Sequence, residues 1–170
     1  YKLKKRFGKV VRGRILDCQK YYFNDAGDVI EYARYKSAGS LRVKEISKYD
    51  SSGNRIESAW YKSNGSLIEK SIYEYDSSGN RIESAKYNSD GSLDIKWIYK
   101  YDSSGNMVGE ASYTSAGWLG GWRSYEYDSS GNMIEKRCYS HSLLLFKFIY
   151  KYDSSGNRIE SAWYDSYGLL

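Results

Sequence analysis

Asp50, Ser52, Asn54 and Glu57 place four side-chain oxygens within eight residues, and Asp76, Ser78, Asn80 and Glu83 repeat the set. Oxygen donors are what calcium takes. The spacing is not that of a calcium loop, however, and Asp and Asn beside a glycine already have a purpose in turn geometry. A structural role is therefore expected, with no metal. A serine nucleophile would need a base within reach, and the chain has many serines but a single histidine, His141. Cys138 lies three residues before His141, with Cys18 far upstream. Two cysteines and one histidine form neither a CxxC motif nor a full zinc ligand set. In a strand running into a turn, alternation would put Cys138 and His141 on opposite faces. No glycine-rich phosphate loop precedes a helix, because no helical period appears. The expectation is a protein that is not an enzyme and holds no cofactor.

Aromatic residues offer a different chemistry. The chain has 20 Tyr, 5 Trp and 4 Phe, and Tyr joins an apolar ring to a polar tip, suiting half-wet surfaces. Tyr recurs at one repeat position: Tyr35, Tyr61, Tyr87, Tyr113, Tyr139 and Tyr164. With Trp60, Trp97, Trp118, Trp122 and Trp163 these could form a platform that stacks on sugar faces or anchors a protein partner. The candidate ligand- or partner-binding residues are Trp60, Tyr61, Tyr87, Trp97, Tyr113, Trp118, Trp122, Trp163 and Tyr164. In the competing reading, the rings merely cover a sheet that has no second layer.

These residues must be positioned by a repeat. YDSSGN begins at Tyr49, Tyr75, Tyr101, Tyr127 and Tyr152, spaced by 26 residues and finally by 25. A degenerate copy, FNDAGD, begins at Phe23, and a half-repeat precedes it. Residues 1–22 are thus a basic N-terminal segment with that half-repeat, and 23–170 are the repeat domain. A fixed period of this size marks units too small to bury their own apolar face. Asp50-Ser51-Ser52-Gly53 matches a type I turn closed by a left-handed glycine, so Gly27, Gly53, Gly79, Gly105, Gly131 and Gly156 are expected at positive φ. Lys62-Ser63-Asn64-Gly65 makes a second turn in each unit. The fold class is all-β: an antiparallel meander of about 11–12 strands built from 26-residue hairpin repeats, in a single-layer or curled sheet.

The turns imply a register. Tyr61 should face Leu67, Ile56 should face Ile72, Tyr49 should face Arg55, and Lys44 should meet the Trp60 indole. Strict alternation then puts Tyr49, Arg55, Glu57, Ala59, Tyr61, Leu67, Ser71, Tyr73 and Tyr75 on one face. The other carries Ile56, Ser58, Trp60, Lys70, Ile72 and Glu74. Both faces are mixed, unlike the divided faces of a sandwich. Repeat five reads YSHSLLLFKF from Tyr139 and lacks the turn glycine, whereas repeat four carries Gly109, Gly120 and Gly121 beside Trp118 and Trp122.

The pattern Tyr73-Glu74-Tyr75-Asp76-Ser77-Ser78-Gly79-Asn80-Arg81-Ile82 resembles the YD repeat of bacterial Rhs-type proteins, and the likeness runs from Tyr21 onward. A weaker likeness is to variant MORN-type repeats. The Rhs resemblance implies a secreted or surface-exposed bacterial protein (the periplasm being the alternative), with strand-turn-strand units spiralling into a hollow shell. Three functions follow as expectations: a scaffold for protein interaction or assembly, a carbohydrate-binding module, or a fragment of a toxin-encapsulating shell.

Charge and ends complete the picture. Lys2, Lys4, Lys5, Arg6, Lys9, Arg12 and Arg14 precede the first acid, Asp17, while the remainder is nearly balanced. Such a segment could touch phosphate or an anionic membrane surface, or guard a sheet edge against pairing. No nucleic-acid partner is expected, and no apolar run reaches the roughly 20 residues that span a bilayer. The chain opens at Tyr1 without Met, as after removal of a leader. Arg158–Tyr164 repeats Arg55–Tyr61, so this C-terminal strand is expected to dock further repeats, another chain or a partner's strand; glycan is the other partner class.

Overall fold

The computed structural model describes residues 17–168; the basic segment before Asp17 lies outside them. The strands are β1 (Asp17–Phe23), β2 (Val29–Lys36), β3 (Leu41–Tyr49), β4 (Arg55–Lys62), β5 (Leu67–Tyr75), β6 (Arg81–Asn88), β7 (Leu93–Tyr101), β8 (Met107–Thr114), β9 (Leu119–Tyr127), β10 (Met133–Ser140), β11 (Leu143–Tyr152) and β12 (Arg158–Asp165). They are hydrogen-bonded in sequence order in one antiparallel sheet, with no helix among the described residues. The all-β meander is as the repeat implied. The chain divides into two compact units, one reaching to Glu74 and including Ala85–Asp94, the other comprising Tyr75–Ser84 and Ile95 onward.

YDSSGN is a self-contained turn. Gly53 N–H donates to the Asp50 carbonyl at 3.2 Å, and Asp50 N–H to the Asn54 carbonyl at 2.9 Å. Asp50 Oδ1 accepts from the backbone N–H of Ser52 and Asn54, and Oδ2 accepts from the Asn54 side chain at 3.0 Å. Asp, Gly and Asn are thus each required by one local network. The six expected glycines have φ between 80 and 95, where a Cβ is strained.

In the first unit the register departs from expectation one step beyond each turn. Tyr61 does face Leu67, and Tyr49 does face Arg55. Beyond them Ile72 lies opposite Glu57, not Ile56, and Lys44 lies opposite Tyr61, not Trp60. The pairing skips Ile56 on β4 and Ile68 on β5, so each hairpin carries a bulge beside its turn. A single extra residue exchanges the faces of everything beyond it. The expected faces are therefore recombined. Ser58 is the cross-strand partner of both Ser47 and Ser71, and alternation puts Trp60, Tyr49 and Tyr73 on their face. Arg55 joins this face, reaching Glu45 at 3.1 Å. Ala59 lies between Ile46 and Lys70 on the opposite face, which carries Glu57, Tyr61 and Ile72.

Neither face forms a dry core. Ala33, Ala59 and Ala85 are buried, as are Ser47, Ser58 and Ser84, but no large side chain among the described residues is fully buried. Small residues lie beneath long stems and rings that keep their polar ends in water.

In the second unit the first Tyr of the motif has a defined task. The β8–β9 ladder begins at Gly109↔Ser124, leaving the Met107 carbonyl beyond its end. The Tyr127 hydroxyl donates to that carbonyl at 2.9 Å. Tyr101 caps Arg81 and Tyr152 caps Met133 in the same way, and in the first unit Tyr49 caps Val29. This accounts for Tyr over Phe, because the phenol supplies a donor to a backbone acceptor that the ladder leaves unpaired.

Candidate functional site

Alternation divides the aromatic platform between the two faces. In the first unit Tyr61 lies on the alanine face and Trp60 on the serine face, edge-on to Tyr32 at 5.9 Å between centroids. Tyr87 stands two residues from buried Ala85, as Tyr61 does from Ala59. In the second unit Tyr113, Trp122, Tyr139 and Tyr164 share one face, while Trp97 and Trp163 share the other. Trp118 sits in a turn, 74% exposed. The repeat-position tyrosines are also covered: Lys44 Nζ stands 5.8 Å from the Tyr61 centroid, Lys147 5.3 Å from Tyr164, and Lys20 4.5 Å from Tyr35. The cation expected over an indole lies over a phenol.

Repeat four, inside the second unit, is the exception. Where other repeats carry Lys44, Lys70, Lys96 or Lys147, it has Trp122. Where they carry Ile46, Ile72, Ile98 or Ile149, it has Ser124, and where they carry Glu57, Glu83, Glu135 or Glu160, it has Gly109. A hollow of about 380 Å³ results, lined by Ile98, Lys100, Gly109, Tyr113, Trp122 and Ser124 among others. That volume lies in the range of small-ligand sites. Trp122 is held on two sides: Tyr139 stacks on its ring at 3.7 Å and 2°, and Nε1 donates to the His141 carbonyl at 2.8 Å. Tyr139 does not line the hollow, so the hollow meets the indole's other side.

Sequence reasoning singled out Trp122 and noted Gly109 beside it, but missed Lys100 and Ser124. The columns of Gly109, Trp122 and Ser124 all break within repeat four, a signal available in the alignment of the repeats with one another, whereas Lys100 keeps its column's lysine and emerges only from cross-strand pairing.

The opposite face of the same repeat holds an ion pair between Glu110 and Arg123, beneath buried Tyr125. Burial, then the charge of Glu110 and a hydrogen bond to it, push the Tyr125 phenol up to about 12. The Arg123 guanidinium balances the carboxylate, which makes this network structural. Cys138 is a buried thiol opposite Arg123, and His141 occupies the turn at φ 53 in place of a glycine. Among the described residues no group of three potential metal ligands forms.

A family described as "Protein of unknown function (DUF2963)" matches in two overlapping stretches, residues 35–84 and 61–110. No curated protein sequence matches the chain. Among solved structures, TcdB2-TccC3 is similar at 16% identity and TM-score 0.42, over 84% of this chain and 9% of that one. A porin-like protein from Bacteroides uniformis is similar at 11% identity and TM-score 0.48, over 82% of this chain and 55% of that one. A protein of unknown function from Bacteroides fragilis is similar at 13% identity and TM-score 0.42, over 74% of this chain and 92% of that one. These likenesses are to repeated β structure alone.

Proposed function

We propose that the protein is a non-enzymatic, extracellular or cell-surface β-repeat scaffold that assembles by strand addition at β12. The supporting observation is a sequence used twice. Arg55–Tyr61 and Arg158–Tyr164 both read RIESAWY. In β4 Ser58 is 4% and Ala59 1% exposed. In β12 the equivalent Ser161 is exposed and Ala162 only half-buried, Ile159 and Trp163 are exposed where Ile56 and Trp60 are half-buried, and among the described residues the strand is paired only to β11. Arg55 stacks forward on Tyr73 of the following strand at 5.4 Å, whereas Arg158 folds back on Tyr150 of the preceding one at 5.5 Å. Among the described residues this strand has one neighbour where β4 has two, and such an edge takes a further strand, whether from a following repeat, another chain or a partner. The incoming strand should carry the β5 pattern LIEKSIYEY, which sets Ile against Glu160, Ser against Ser161 and Leu against Tyr164. The resemblance to YD repeats supports the extracellular placement.

Light scattering over a concentration series tests this. Association that rises with concentration, is lost in Ile159→Lys and is competed by the Leu67–Tyr75 peptide is expected. A monomer at every concentration, with no binding of that peptide, would reject the proposal.

A further inference from the structure

We infer that the hollow of repeat four is a subsite for an acidic sugar residue. The inference does not rest on strand addition at β12.

The first observation is a cation that has lost its partner. Lys48 pairs with Glu57 at 2.9 Å, and Lys151 with Glu160 at 3.0 Å. Lys100 is the equivalent lysine of the intervening repeat, and its cross-strand neighbour is Gly109. Among the described residues it has no ion pair, and it lines the hollow.

The second observation is that the fold does not require glycine there. Gly109 lies outside the positive-φ region, and a Cβ built on it would meet only the Arg123 carbonyl at 3.6 Å and Lys100 Cβ at 3.9 Å. Those are ordinary contacts. Gly121 differs, since its Cβ would press on the Tyr139 carbonyl at 3.0 Å. Packing thus accounts for Gly121 but not for Gly109, where a glutamate would fit and would neutralise Lys100. The space and the charge remain open together.

The third observation is the pre-oriented indole. Trp122 is fixed by Tyr139 and by the His141 carbonyl, so a ligand need not order it on binding. A pyranose offers one apolar C–H face for that ring, hydroxyls for Ser124, and in a uronic acid a carboxylate for Lys100. Glu110 and Arg123 also line the hollow but pair with each other, which leaves Lys100 as its uncompensated charge.

Isothermal titration with oligogalacturonate, and with its methyl ester as the uncharged form of the same rings, tests the assignment. Wild type should bind the acid about two- to fivefold more tightly than the ester, the worth of one exposed ion pair. Lys100→Met should abolish that preference. Trp122→Ala should weaken both by about tenfold. Gly109→Glu, which restores the pairing found in other repeats, should remove binding without changing the melting curve. No binding of either glycan, an ester preferred to the acid, or wild-type affinity in Gly109→Glu would overturn the inference.

Discussion

Replacing Tyr127 with Phe deletes one oxygen and keeps the ring. That hydroxyl donates at 2.9 Å to the Met107 carbonyl, at a part-buried position just beyond the end of the β8–β9 ladder. A neutral hydrogen bond of this type contributes about 1 kcal/mol net, and an acceptor left without a donor costs about 1–3 kcal/mol if water cannot reach it. The loss in Tyr127→Phe should therefore be about 1–2 kcal/mol. The equivalent bond from Tyr101 to Arg81 is 3.0 Å and exposed, so water replaces it and Tyr101→Phe should cost less. Urea unfolding would show both as a lower midpoint at unchanged slope. The alkaline limb supplies a second readout. Burial, and then the charge of Asp102, raise the Tyr127 phenol above its ordinary value. Above pH 10 the unfolded chain releases this proton before the folded one does, so wild type loses stability as pH rises. The gap between wild type and Tyr127→Phe should then narrow. A Phe variant as stable as wild type at neutral pH, or one no more affected than Tyr101→Phe, would refute the capping account.

Gly131 has φ 82 and nothing within 4 Å of a built Cβ, so Gly131→Ala should cost the backbone strain alone, about 1 kcal/mol by urea unfolding. At the acid end, hydrogen bonds from Asn54, Asn80, Asn106, Asn132 and Asn157 hold Asp50, Asp76, Asp102, Asp128 and Asp153 below their ordinary values. Their contribution is present above about pH 4 and lost as pH falls through the lowered values. Circular-dichroism melts in Asn132→Ala should therefore show a weaker acid dependence than wild type.

Turn chemistry was legible in the sequence because every group in YDSSGN meets its partner within four residues. The period, the antiparallel order and the positive-φ glycines follow from that local network. Which residues share a face was not legible, because the skipped residues Ile56 and Ile68 are defined only by how two strands meet. The turn sequence is the same whether or not a bulge follows it, and one extra residue takes Lys44 from Trp60 to Tyr61. Tertiary structure likewise decided the meaning of RIESAWY, interior in β4 and exposed in β12, since burial belongs to the neighbours and not to the strand. It also decided Lys100: the residue resembles every other lysine of its column, and only cross-strand pairing places it opposite a glycine where its counterparts find a glutamate.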